Sequence, residues 1–274
     1  MASSQFMRLG RCTRYLPRFR GLTALLGVYR RFFPSNSLFR VDDFDGDLKL
    51  DVSVCETIGI NIWHTPELFE QEERKVFCSA IDTGTVVLDV GANIGIYTLL
   101  AAKRGARVFA IEADPDNARA LRHHIEINDF SDNVTVFEIA ATERAGMVTL
   151  YRNSQNSGGS TLFGTRQGVT SVRVEGRTID SLELPPIDVC KMDIEGAEAL
   201  ALCGMTDTLT RSPNLKLLTE WNPGVQTEGP EQDALPRQLL SILRARFASV
   251  SIVGGSELSP SDLPPPFCNL WAHR

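Results

Sequence analysis

A chain of 274 residues, 43% hydrophobic and 23% charged, is long enough to bury a full core without disulfide or metal staples. It has no apolar run of roughly 18 residues, so the sequence predicts no transmembrane helix. The net charge of −6 divides unevenly: residues 1–40 hold eight Arg and no Asp, Glu or Lys, leaving −14 on the remainder, which argues against broad attraction to a nucleic-acid backbone.

Residues 1–40 form a basic segment in which Leu16, Phe19, Leu22, Leu25, Leu26 and Tyr29 recur at helical spacing. Three readings stand: a helix packed on the main domain, an interfacial helix making peripheral contact with an anionic membrane surface, and an organelle transit peptide. Residues 41–84 are read as an N-terminal hairpin and cap helix. Alternation at Leu48, Leu50, Val52 and Val54 predicts a hairpin within 41–62. Thr65 and Pro66 predict the start of a helix over 66–81.

From 85 to 274 strands and helices alternate. Strands are predicted at 86–90, 107–111, 134–140, 189–194 and 215–221, with helices to Lys103, from Asp114–Pro115 to Ile127, from Gly196, and over 238–247. Residues 147–152 pair with 170–175 as an antiparallel excursion. Strands at 250–253 and 267–273, joined without a helix, form an antiparallel edge pair. This is an α/β fold with a mostly parallel sheet covered by helices on both faces. The six Cys (12, 55, 78, 190, 203, 268) include no C-x-x-C pair. They read as reduced thiols used as small hydrophobes, and the expected location is cytoplasmic.

The strongest chemical signal is Asp89-Val90-Gly91-Ala92-Asn93-Ile94-Gly95 between a strand and a helix. Gly91, Gly95 and Asn93 tolerate positive φ, and the glycines allow close backbone approach. Glu112 stands at the tip of the second strand, where an acid takes ribose hydroxyls. The middle glycine of a dinucleotide turn is missing, and Asp89 would repel a pyrophosphate. A cationic adenosine ligand, S-adenosyl-L-methionine, fits better than NAD.

The second signal is Lys191-Met192-Asp193-Ile194-Glu195-Gly196-Ala197-Glu198. Its acids fall beyond a strand's carboxyl end, where ligands bind in open α/β sheets. Asp193 or Glu195 is the candidate general base, while capping of the next helix is the plainer role, especially for Glu198. Glu220 could orient an acceptor hydroxyl. Trp221 either stacks on a sugar face or belongs to the core edge. His64 is a further candidate base, His123 and His124 read as surface, and the polar loop 153–164 reads either as a cover for the acceptor or as a plain hairpin loop.

The stretches VVLDVGANIGIYTLLAAK (86–103), VFAIEADPDNARALRHHIEIN (108–128), RTIDSL (177–182), DVCKMDIEGAEALALCGM (188–205) and LTEW (218–221) resemble FkbM-type S-adenosylmethionine-dependent methyltransferases. The resemblance implies a class I methyltransferase (Rossmann-like) fold with a seven-stranded sheet, and O-methylation of a hydroxyl on a sugar, glycolipid or other natural product. It implies that Asp89, Gly91, Asn93 and Gly95 line the methionine end of the cofactor. Glu112 with Ala113 would hold the ribose, and Ala140 would border the adenine. It requires no metal, so the expected site is metal-free, although two or three clustered acids have the chemistry to hold one. The alternative is an RNA methyltransferase with the Arg-rich head as its RNA arm. No [DN]-P-P-[YF] tetrapeptide or aromatic–basic platform supports a nucleic-acid acceptor.

Overall fold

A computed structural model of the chain describes residues 37–153, 157–164, 170–224 and 234–274. The apolar stripe at 16–29 lies outside these residues. The chain divides into two compact units, with the change at Gln71/Glu72.

The first unit holds β1 (Leu38–Phe44) and β2 (Leu48–Ser53), an antiparallel pair closed by a turn at Asp45 (φ 49°) and Gly46 (φ 99°). Alternation works as read: Val41, Phe44, Leu48, Leu50 and Val52 are buried. The hairpin stops at Ser53, however, and Thr57–His64 form helix α1, with Trp63 stacked at a tilt on Phe39 (centroids 5.1 Å). Thr65 ends this helix instead of starting the next: its N–H donates to the Asn61 carbonyl (2.8 Å). Helix α2 therefore begins later, at Gln71, and ends at Ser79.

The second unit is built on seven strands: β3 (Val86–Val90), β4 (Arg107–Ile111), β5 (Val134–Phe137), β9 (Val189–Met192), β10 (Lys216–Trp221), β11 (Ser249–Ile252) and β12 (Cys268–His273). Their order is β11-β12-β10-β9-β3-β4-β5. β3, β4, β5, β9 and β10 pair in parallel, and β12 runs antiparallel to both β10 and β11. This is the seven-stranded class I methyltransferase sheet with its antiparallel edge pair.

Helix α3 (Ile96–Lys103) is buried along almost its whole length, so its apolar residues surround the axis instead of forming a stripe. Helix α4 (Pro115–Ile127) has the stripe: Ala118, Leu121 and Ile125 face inward. Asp114 caps it through the Asp116 N–H (2.9 Å), and Pro115 stands at its first position.

The third strand departs from expectation. Glu112 N–H bonds to the Phe137 carbonyl (3.0 Å), and β5 ends there. Ala140 and Ala141 form a separate short strand, β6, beside β8 (Thr170–Arg177), which also pairs antiparallel with β7 (Gly146–Arg152). Ala140 is buried in a small cluster with Leu150 and Val174. The main core joins Leu88, Val90, Ile111, Ile187, Met192, Leu217 and Leu243 under the sheet. Among the described residues the cysteines form no disulfide.

The RTIDSL stretch has a structural job. Asp180 sits in a 3₁₀ turn (Ile179–Leu182) and accepts from the backbone N–H groups of Asp207 (3.0 Å) and Thr208 (2.7 Å) and from the Thr208 hydroxyl (2.7 Å). It thereby caps helix α6 (Thr206–Arg211), which follows α5 (Glu198–Cys203). Asp180→Ala leaves three donors without their acceptor, and thermal unfolding should register a loss of about 1–2 kcal/mol.

Candidate active site

The strand order reverses direction between β3 and β9, so the loops leaving these strands part around the switch point. The two sequence motifs meet there. A Cβ on Gly91 would lie 1.9 Å from the Asp193 carbonyl oxygen, and Gly91 has φ +80°. The N–H groups of Gly91 and Ala92 both donate to the Ile111 carbonyl (2.9 and 3.0 Å), and Asp193 N–H donates to that of Val90 (3.0 Å). Asn93 takes φ 52°, with its Oδ1 accepting from Ile94 N–H (2.6 Å). Gly95, at φ 101°, leads into α3.

Glu112 clips this turn from the side. Its Oε2 accepts from Asn93 N–H (2.7 Å) and its Oε1 from Asp114 N–H (2.8 Å), so one carboxylate ties the turn after β3 to the turn after β4. It is 6% exposed, and burial pushes its pKa up to about 7 against the pull of those N–H groups. Ala113 is half-buried beside it, against the β6–β8 cluster. Asp89 lies deeper than expected. It is wholly buried, with Oδ2 accepting from the Thr98 hydroxyl (2.6 Å) and Oδ1 lacking a hydrogen-bond partner among the described residues. Burial raises its pKa, opposed by Lys191 and by the Thr98 hydrogen bonds.

The acids after β9 and β10 form a group. Asp193 is about one-third exposed, and its Oδ2 accepts from the Lys191 ammonium (3.1 Å). Lys191 itself is buried, with its ammonium 5.0 Å from the Tyr97 ring centroid. Glu195 holds φ 52° and Gly196 φ 97°. This left-handed pair delays α5 to Glu198, two residues after the predicted start. Glu198 turns back: its Oε1 accepts from Ile194 N–H (2.9 Å) and Gly196 N–H (3.3 Å), so it ties down the turn before α5 instead of capping the helix, and burial pushes its pKa up to about 7.

Glu220 ends β10 at 9% exposure with Oε2 unpartnered. Burial foremost, then Asp193, Glu195 and Glu198, raise its pKa to about 9, while Lys191 opposes them. One carboxylate oxygen each from Asp193, Glu198 and Glu220 lie within 4.8 Å of one another. From the loop 158–164, Thr161 pairs with Tyr151 through two backbone bonds (2.8 and 3.0 Å), and its hydroxyl donates to the Glu195 carbonyl (2.8 Å). That loop is moored to the acid turn.

Two other expectations need correction. Trp221 is 4% exposed and belongs to the main core, so it is no open stacking face. His124 is not a surface residue. It is 1% exposed, and its Nδ1 lies 2.7 Å from the Ile94 carbonyl, so the ring donates there and braces the glycine turn. His64 ends α1 in the first unit, whereas the acids all belong to the second.

The methyltransferase FkbM domain matches residues 89–247, more than half of the chain. The chain belongs to the FkbM methyltransferase family. It is 27% identical to the hexuronic acid methyltransferase AglP of Haloferax volcanii over 54% of this chain and 62% of that one. It is 35% identical to protein MJ1452 of Methanocaldococcus jannaschii over 28% of this chain and 30% of that one. A tRNA (guanine(37)-N(1))-methyltransferase of Danio rerio is 32% identical over 27% of this chain and 15% of its own. In each case the match spans less than two thirds of the relative. Among solved structures, an FkbM methyltransferase of Methylobacillus flagellatus superposes with TM-score 0.45 at 17% identity, covering 79% of this chain and 54% of that one.

The FkbM domain takes S-adenosylmethionine as cofactor, and the residues fit it. Glu112 stands at the carboxyl end of β4; its Oε1 also accepts from the Asn117 side-chain amide (3.5 Å), and its Oε2 keeps a lone pair beyond the bond from Asn93 N–H. Asp89 leaves a buried carboxylate oxygen unsatisfied beneath the turn, where a sulfonium or ammonium finds favourable potential. Three residues of this FkbM site were given no role from the sequence: Thr98 and Lys191, which hold Asp89 and Asp193, and His124. Lys191 and Asp193 share one side of β9, a spacing of two that links them; the other two bonds have no sequence signal.

Gly91→Ala puts a methyl into the Asp193 carbonyl at a positive φ, and thermal unfolding should show a loss of ~3 kcal/mol or more, with cofactor binding gone. Glu198→Gln keeps the Oε1 bonds but removes the buried charge. The wild type binds more protons folded than unfolded as pH rises from the ordinary glutamate value toward 7, so over that window it should lose ~3 kcal/mol relative to E198Q. Denaturant titrations of both proteins in chelator at pH 4.5 to 8 measure this difference.

Proposed function

We propose that this chain transfers a methyl group from S-adenosylmethionine to a hydroxyl of a sugar, glycolipid or other small natural product. The observation that carries the reading is the contact of the Asp193 backbone carbonyl with the glycine turn: it brings a residue with a partly exposed carboxylate up to the turn expected to seat the cofactor. The AglP relative, whose name states a hexuronic acid acceptor, supports a sugar-type acceptor.

When bound, the cofactor supplies an electrophilic methyl on sulfur. That methyl would go to an acceptor hydroxyl, whose proton Asp193 would take, with Glu195 the second candidate. Products are the methyl ether and S-adenosylhomocysteine. Lys191 fixes the Asp193 carboxylate in place. Glu220 orients the acceptor hydroxyl, and the loop moored at Thr161 borders the acceptor. Glu112 fixes the glycine turn and takes the ribose hydroxyls, Ala113 and Ala140 border the nucleoside, and Asp89 supplies the negative potential under the methionine end. The −14 carried by residues 41–274 opposes a polyanionic acceptor such as RNA.

Calorimetry with S-adenosylmethionine and S-adenosylhomocysteine should detect binding, and no heat at millimolar ligand sinks the reading. Asp193→Asn should keep the cofactor while methyl transfer, followed by tritium from the labelled methyl, falls ~10²–10⁴-fold. Undiminished transfer removes Asp193 as the base.

A further inference from the structure

We propose that Asp193, Glu198 and Glu220 bind a divalent cation through oxygen, against the metal-free site read from the sequence. The three carboxylates come from two strand ends and the first turn of a helix, yet one oxygen of each falls within 4.8 Å of the others. Three oxygens within that span can share one cation at bonds of ~2.4 Å, the length typical of Ca²⁺, and a smaller cation is reached by further closure. The donor set is all carboxylate, which selects hard cations over Zn²⁺ or Cu²⁺. Glu195, read from the sequence as a member of the acid cluster, is not one of the three.

A second observation points to a missing partner. Glu220 is 9% exposed and its Oε2 is buried without any hydrogen bond. A buried carboxylate oxygen left unsatisfied is costly, and the described residues provide no donor for it. Glu198 accepts from the Ile194 and Gly196 N–H groups through Oε1, which holds the group in place. Lys191 is bound to Asp193 and lies over the Tyr97 ring, and Glu220 Oε2 receives no hydrogen bond from it. A cation in the group satisfies Glu220 and leaves further coordination positions for water or for oxygens of an acceptor. The inference goes beyond the methyl-transfer reading and draws on two of the same carboxylates, Asp193 and Glu220.

The test uses the full chain, stripped with chelator and titrated with Mn²⁺, with free Mn²⁺ followed by its electron paramagnetic resonance signal. The wild type should remove about one Mn²⁺ per chain from solution and unfold at a higher temperature with Mn²⁺ present. Glu220→Gln should weaken binding at least tenfold and abolish the thermal shift. If E220Q does not fold, Glu198→Gln, which keeps its Oε1 bonds, takes its place. Glu138→Gln, at an exposed acid paired with Arg122, should bind as the wild type does. An undiminished free-Mn²⁺ signal in the wild type overturns the proposal, as does equal binding by wild type and E220Q. Calorimetry with S-adenosylmethionine on the same samples separates the two readings: cofactor binding without Mn²⁺ binding removes the cation site and leaves methyl transfer standing.

Discussion

The crossing of Gly91 over the Asp193 carbonyl is the constraint on which the site depends. Two loops that leave neighbouring parallel strands in opposite directions must pass close at the switch point, and a backbone carbonyl occupies the volume where any side chain at position 91 would go. Glycine is thus required twice, for space and for a left-handed φ. Once the contact is made, the turn that cradles a nucleoside and the turn that carries the acids become one surface. Glu112 and His124 then brace the same turn, from its N–H side at Asn93 and its carbonyl side at Ile94.

Charge is the second organising feature. Asp89, Asp193 and Glu220 share the field of one ammonium, that of Lys191, while burial and the neighbouring Asp193, Glu195 and Glu198 push the pKa of Glu220 upward against it. A fold selected for stability alone has little reason to bury carboxylates whose oxygens stay unsatisfied. Such groups belong where positive charge arrives from outside, as a cationic cofactor or a metal ion. Desolvation is offset elsewhere by backbone N–H donors, as at Glu112 and Glu198, and this is why those two are raised less than Glu220.

Much of the second unit could be read from sequence because its signals are local. The strand at 107–111 and the helix at 115–127 carry their own bounds, in an apolar run and in an Asp-Pro cap. The expectations that failed were those in which a local signal was outcompeted by distant contacts. Thr65 has the look of an N-cap but its N–H is taken by Asn61. Residues 138–141 continue an apolar pattern, yet the ladder closes at Phe137 and the chain crosses to β8. His124 looked polar and exposed, and a carbonyl thirty residues away buries it.

The sequence by itself determined the α/β class, the glycine turn with its acid, and the family, since residue type, period and spacing are properties of the chain alone. Only the tertiary structure decided which acids share a site. Glu220 and Glu198 belong to elements far apart in sequence, and their distance is set by strand order and register, not by spacing. The same holds for burial: whether an acid such as Asp89 faces solvent or lies beneath a turn follows from what packs over it, and no single position encodes that.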